Sequence, residues 1–306
     1  MNYSNKILLL FLITLVSCFP KEEKVEPSPR IYQSVSIDAG SSKNDVVFYS
    51  LDEGRIVAKT SPMDWDLYID QEVIRINYFR SMSVALTTDA WDNIKDTAGL
   101  SFSYLTDQLS DSLTQWELSE NQIYVVNMGL DNDYNPMGFM VLKVQRMSDR
   151  IVLKYKDLDG ENECINKITE DQFYYHLRNE TKVNLPNDKE YDLALGKYTD
   201  YITVDDVSQD YTIYGAILGN ASAYLLNDEF ENTDANDFEV SMLSSRQDII
   251  GWNWKRFNLD KNAYEILPNM TYMISTNSNY PCKLRFVDYL NDQGISGHPT
   301  FEYEIL

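Results

Sequence analysis

The chain has 306 residues, with 48 acidic against 26 basic side chains, a formal charge of −22 at pH 7, and three cysteines. So large an acidic excess repels nucleic-acid phosphates and argues against adsorption to anionic lipid through a basic patch; otherwise it speaks of solubility. No CxxC or Cys/His spacing indicates zinc, and the length suits one large domain or two modest ones.

At the N-terminus, Lys6 precedes the apolar run Ile7 to Val16, and "LVSC" sets Ser17 directly before Cys18. The run is about half the ~20 residues a bilayer-crossing helix needs, so residues 1–17 read as a lipoprotein signal peptide and Cys18 as the lipid-bearing mature N-terminus. Residues 18–30 contain "FPKEEKVEPSPR", rich in proline and charge and without periodicity, and they read as a flexible tether. Lys21-Glu22-Glu23 resembles the cluster that follows the lipidated Cys in surface lipoproteins of Gram-negative bacteria. The expectation is an outer-membrane lipoprotein at the cell surface, with a periplasm-facing anchor as the alternative.

Beyond the tether, short alternating runs dominate: Val46 to Leu51, Ile56 to Ala58, Leu67 to Ile76, Ile123 to Asn127, Met140 to Val144 and Ile151 to Tyr155. Period two, with Tyr, Phe, Val and Ile set between Gly, Asn and Asp turns, predicts strands and an all-β, mainly antiparallel fold. "TTDAWDNIKDTAGL" and "SYLTDQLSDSLTQWEL", near residues 88–117, each predict a short amphipathic helix, with Asp89 or Thr106 as caps.

One twenty-residue phrase occurs twice without a gap. "FYSLDEGRIVAKTSPMDWDL" starts at Phe48 and "YYHLRNETKVNLPNDKEYDL" at Tyr174. An aromatic pair, a leucine, a proline-containing turn and a Trp/Tyr-Asp-Leu triplet recur in order, which spells strand, turn, strand twice. The ends of the halves rhyme as well: "MVLKVQR" from Met140 with "CKLRFVD" from Cys282, and "LKYKDL" from Leu153 with "FEYEIL" from Phe301. Leu142 and Val144 should face inward, and Lys143, Gln145, Lys283 and Arg285 outward. The pattern predicts two related β modules, 31–160 and 161–306, packed side by side or sharing one core.

Residues able to do chemistry are few. His176 takes the strand position that Ser50 holds in the first copy, and His298 sits in a turn before the last strand. GxSxG, HExxH and GxGxxG are absent, so hydrolase and dinucleotide readings are poor. Abundant carboxylates leave a glycosidase formally open without arguing for one. The loops with Asp131 and Asp133, and with Asp157, Asp159 and Glu161, lack the full calcium-loop pattern and read as turns. Cys164 and Cys282 are able to pair in an oxidising compartment only if the fold brings them close. Met137, Met140, Met242, Met270 and Met273 stand in or beside expected hairpin tips, where a soft thioether can fill a gap or ligate haem iron.

The C-terminal third carries a resemblance. "NMTYMISTNSNYPCKLRFVDYLNDQGISGHPTFEYEIL", with Trp65-Asp66-Leu67 upstream, resembles the HmuY family of haem-binding bacterial surface lipoproteins in a long, duplicated form. The matching residues are Tyr272, Ile274, Lys283, Leu284, Arg285, Phe286, Asp288 and Tyr289, then Pro299, Thr300, Phe301 and Tyr303. The resemblance implies a β fold gripping haem between protruding hairpins, iron held by paired His or by Met, and an outer-membrane receptor as partner. The paired-His pattern is missing. Met242 is the first candidate haem ligand and His176 the second. A non-enzymatic surface protein that has lost haem and binds glycan or protein through Trp91, Trp116 or Tyr134 is the alternative.

Overall fold

The computed structural model describes residues 32–306 except 41–43, 71–72, 104–117, 170–171 and 205–206. The signal, Cys18, the tether, Trp116 and most of the second expected helix lie outside the described residues. The strands are β1 (Gln33–Ser36), β2 (Val46–Ser50), β3 (Arg55–Thr60), β4 (Leu67–Ile69), β5 (Ile74–Ile76), β6 (Ser83–Thr87), β7 (Ile123–Asn127), β8 (Phe139–Met147), β9 (Arg150–Asp157) and β10 (Cys164–Ile168). They continue with β11 (Phe173–His176), β12 (Thr181–Val183), β13 (Leu193–Val204), β14 (Val207–Leu218), β15 (Ser222–Leu226), β16 (Lys255–Asn258), β17 (Ala263–Ile266), β18 (Thr271–Ser275), β19 (Pro281–Leu290) and β20 (Ser296–Ile305). The fold is all-β and the strand pairs are antiparallel.

Most of the expected strands appear, with two changes. The run Leu67 to Ile76 is divided into the hairpin partners β4 and β5, and His298 lies within β20 instead of before it. The first expected helix is reduced to a 3-10 turn over Trp91–Asn93, whose N-cap Ala90 offers no side-chain bond. Local polar groups take the backbone instead: Thr87 Oγ1 accepts from Asp89 N, Asp96 Oδ1 accepts from Ala98 N, and Lys156 Nζ donates to the Trp91 carbonyl. Such bonds compete with a helix for the same backbone groups.

Two five-stranded sheets, β10-β9-β8-β7-β6 and β1-β20-β19-β18-β15, have the same construction. Leu142 faces Tyr155 and Val144 faces Leu153 in the first; Leu284 faces Tyr303 and Phe286 faces Phe301 in the second. Each packs against a four-stranded sheet built from both sides of residue 160. The order β12-β11-β4-β5 joins the second copy's hairpin to the first copy's strands, and β3-β2-β13-β14 does the reverse. One core gathers Trp65, Leu142, Leu153, Tyr174 and Tyr191, the other Tyr49, Leu195, Trp254, Leu284 and Phe301. The sheet β3-β2-β13-β14 lies between them: Val46 and Phe48 point into one core, Val47 and Tyr49 into the other. Apolar neighbours on both faces explain why β2 reads as an unbroken buried run without polar alternation.

The repeated phrase marks the crossing. Leu67 pairs with Tyr175 and Leu193 with Tyr49, so each Trp/Tyr-Asp-Leu triplet docks on the other copy's aromatic pair. Asp66 donates its N–H to the Tyr175 carbonyl and accepts from Leu177 N on Oδ2 at 2.7 Å; Asp192 donates to Tyr49 and accepts from Leu51 N on Oδ2, also at 2.7 Å. An asparagine braces each turn from behind: Asn77 Nδ2 donates to the carbonyls of Pro62 and Trp65, Asn277 Nδ2 to those of Asp188 and Tyr191. Both aspartates are buried, and the accepted N–H bonds offset the cost of removing their charge from water.

Candidate functional site

The chain between β15 and β16 forms a braced excursion from the C-terminal sheet. Two 3-10 turns, Ala235–Asp237 and Val240–Met242, shape it, and the first has a reciprocal cap in which Asp234 N donates to Asp237 Oδ2 and Asp234 Oδ1 accepts from Asn236 N. Tyr224 OH, on β15, donates to the Asp237 carbonyl at 2.6 Å and accepts from Glu239 N at 2.8 Å. Beyond Met242, Ala223 and Ser244 exchange backbone hydrogen bonds, returning the chain to the β15 edge.

Lys283 holds the near end. Alternation places it on the outer face of β19, as expected, but the excursion covers it, leaving it 1% exposed where solvent was expected. Its Nζ donates to the Phe230 and Thr233 carbonyls at 2.9 Å, pairs with Glu304 at 3.1 Å and lies 4.3 Å over the Phe230 ring. Arg285, expected outward and half-buried here, adds ion pairs to Glu231 and Glu302. A buried, fully engaged lysine acts here as a fastener.

At the top of this frame Val240 is 71% and Met242 53% exposed. Of the five methionines considered, Met140 and Met273 are core residues, Met137 and Met270 pack partly buried against the cores, and Met242 alone is exposed. Arg246, four residues on, is held by Asp248.

His176 is placed differently. It ends β11 with a 14% exposed side chain, its Nδ1 accepting from Asn179 N at 3.2 Å and lying 3.5 Å from Asp66 Oδ2. Accepting that N–H requires a lone pair on Nδ1, which puts the proton of the neutral ring on Nε2. Ser50, its counterpart, does the same work, Oγ accepting from Glu53 N at 3.2 Å. Met242 and His176 stand beside different sheets and the structure does not bring them together.

The other polar candidates are engaged in structure. Asp131 Oδ1 accepts from Asp133 N and Asn135 N, and Asp159 Oδ1 from Glu161 N. Among the described residues no group of three or more His, Cys, Asp or Glu side chains is placed to hold a metal ion. Cys164 donates to Glu180 at 3.3 Å, while Cys282 is buried, and both thiols are free. Trp91 donates Nε1 to Glu163 and lies 4.3 Å beneath the Lys154 ammonium; Tyr134 is 58% exposed, its OH accepting from Lys197 Nζ at 2.9 Å. Sequence reasoning placed Asp66 and Asp192 in the repeated triplet and Lys283 on an outward face, but assigned none of them a bracing role, and it did not name Asn77 or Asn277. The one available signal was an aspartate at the same place in both copies of an otherwise apolar triplet.

Against known proteins, the model of the HmuY protein family matches residues 42–303. The chain belongs to the HmuY family. No curated protein matches it. Among solved structures it is similar to a Bacteroides vulgatus protein described as HmuY-like and heme-binding, at 10% identity and a TM-score of 0.25, covering 91% of this chain and 93% of that one. The apo HmuY analog of Tannerella forsythia matches at 10% identity and a TM-score of 0.26, covering 90% and 96%. A Bacteroides fragilis protein described as a lipoprotein matches at 12% identity and a TM-score of 0.24, covering 90% and 92%.

Proposed function

We propose that this HmuY-family chain is a lipid-anchored surface protein that captures haem or a related porphyrin and passes it, chemically unchanged, to an outer-membrane receptor. Cys18 would carry the anchor and residues 18–30 would hold the body clear of the membrane. The observation that carries the reading is Met242: an uncharged residue with a soft thioether, 53% exposed, on an excursion that Lys283 fastens at its near end. Thioether sulfur is an established axial ligand of haem iron, and the neighbouring Val240 side chain offers an apolar contact to a porphyrin face. His176 ranks below it, because its Nδ1 already serves the turn and its ring is largely covered. The overall negative charge does not forbid a ligand with two propionates, since physiological salt screens it over about 8 Å.

Titrating the full chain with haemin, read as a Soret band, tests this. The expected result is saturation near one equivalent, with Met242→Ala shifting the band and weakening binding about tenfold or more and His176→Ala changing neither. A chain that gives no Soret change, or one whose Met242→Ala variant titrates like the parent, sinks the reading.

A further inference from the structure

The hairpin β16–β17 forms a sheet of its own, its strands hydrogen-bonded to each other and to none of the larger sheets. Its root is anchored. The Trp254 ring, just before β16, stacks on Phe286 of β19 with centroids 4.0 Å apart, and Leu267 N donates to the Trp254 carbonyl. The arm beyond the root is held less firmly: Phe257 is 46% and Leu259 85% exposed, and a two-stranded hairpin has little stability by itself, so the side chains it turns toward the body must keep it down. Tyr264 is one, its ring meeting that of Tyr289 edge-on at 5.0 Å and its hydroxyl bonded to that of Tyr211. Lys255 is the other, buried among the rings of Trp254, Tyr264 and Tyr289 with the Tyr214 carbonyl as its acceptor.

Among the described residues no carboxylate pairs with Lys255. The titratable groups facing it are Tyr211 and Tyr214 on β14, Tyr264 on β17 and Tyr289 on β19; burial raises the hydroxyl pKa of the last three, so they bring no negative charge at neutral pH. The acids of the neighbourhood are engaged elsewhere. Asp38 and Asp45, which act on the Tyr214 hydroxyl, lie 3.9 and 3.2 Å from Lys59; Asp288 accepts from Tyr289 N and Leu290 N; and Glu265, on the hairpin itself, is held by Arg256 and Lys261. Burial without a counter-charge brings the Lys255 pKa down to about 7 while the hairpin lies closed, against 10.5 in water. We propose that β16–β17 is a proton-operated flap, closed over Tyr214 and Tyr289 while the Lys255 amine is neutral, and lifted about its Trp254–Leu267 root when the amine takes up a proton and moves into water. The open form binds that proton more tightly, so the ratio of open to closed rises about tenfold for each unit the pH falls through the window between the two values, and levels off below the lower one, where both forms are protonated. Lifting uncovers the aromatic side chains of Tyr214 and Tyr289. The device uses none of the residues of the haem reading and survives its failure.

Amide hydrogen exchange of the full chain at about pH 7, 8 and 9 tests the proposal. Exchange through local opening ordinarily speeds up about tenfold per pH unit, because hydroxide catalyses it. Opening of the flap declines by the same factor, so the amides of residues 255–266 are expected to exchange at a nearly constant rate while those of the β8–β9 hairpin accelerate about tenfold per unit. Lys255→Met keeps the apolar stem and removes the proton site; it should restore the acceleration in the flap and slow its exchange at pH 7 by about tenfold or more. The profile of the parent chain decides by itself if that variant does not fold. The proposal is overturned if the 255–266 amides of the parent accelerate with pH as those of β8–β9 do, or if a folded Lys255→Met variant keeps the parent's profile.

Discussion

Lys255, at the start of β16, is 1% exposed, with its ammonium 4.1 Å from the Trp254 ring centroid, 4.8 Å from that of Tyr289 and 5.8 Å from that of Tyr264. Its hydrogen-bond acceptor is the Tyr214 carbonyl. Burial pushes its pKa down to about 7 from an ordinary 10.5. Between those values the unfolded chain binds more protons than the folded one, so this residue makes stability rise with pH across that window and imposes its full cost below about 7. Cation–π contact with three rings offsets part of the cost. Lys255→Met keeps the volume and removes the charge, and we expect it to raise stability by about 1–3 kcal/mol at pH 6 and by little above pH 10.5. Urea unfolding at the two pH values reads the difference; an equal or opposite effect at both would show that the rings compensate the ammonium fully.

At the scale of elements, the two aspartate latches are alike in place and unlike in chemistry. Asp66 accepts from Leu177 N and pairs with the buried guanidinium of Arg80; Asp192 accepts from backbone N–H groups on both oxygens. Asp66→Asn strands the Arg80 charge and should cost about 3–5 kcal/mol. Asp192→Asn turns one NH2 against an N–H donor but leaves no orphaned cation, and about 1–3 kcal/mol is expected. Equal losses in denaturant unfolding would mean that Arg80 finds another partner. Both latches lie inside the phrase the sequence repeats, which made the strands, the turn and their recurrence legible: period two, Pro62 and Pro186 and the aromatic pairs are local signals. Which copy's hairpin pairs with which strand was not legible, because alternation fixes the face of a strand and not its partner. The excursion bearing Met242 was equally opaque. Its shape depends on Lys283 and Tyr224, far from Met242 in the chain on either side, and an outward lysine on β19 looks like any solvated lysine until a loop covers it.

For the whole molecule, these exchanges mean that neither core is closed by one stretch of chain. The hairpin β2–β3 completes a sheet of the second copy and β11–β12 a sheet of the first, and the faces of β2 and β13 are shared by both cores. A frame of this kind keeps the Met242 excursion in a fixed place although it sits on a loop. Cores that share a sheet and exchange hairpins should unfold together, since opening one strips apolar cover from the other. Differential scanning calorimetry of the full chain, beside Asp66→Asn, tests this most directly. The account predicts one transition whose calorimetric and van't Hoff enthalpies agree, moved as a whole to lower temperature by a substitution in one core. Two transitions, with Asp66→Asn lowering only one of them, would contradict it.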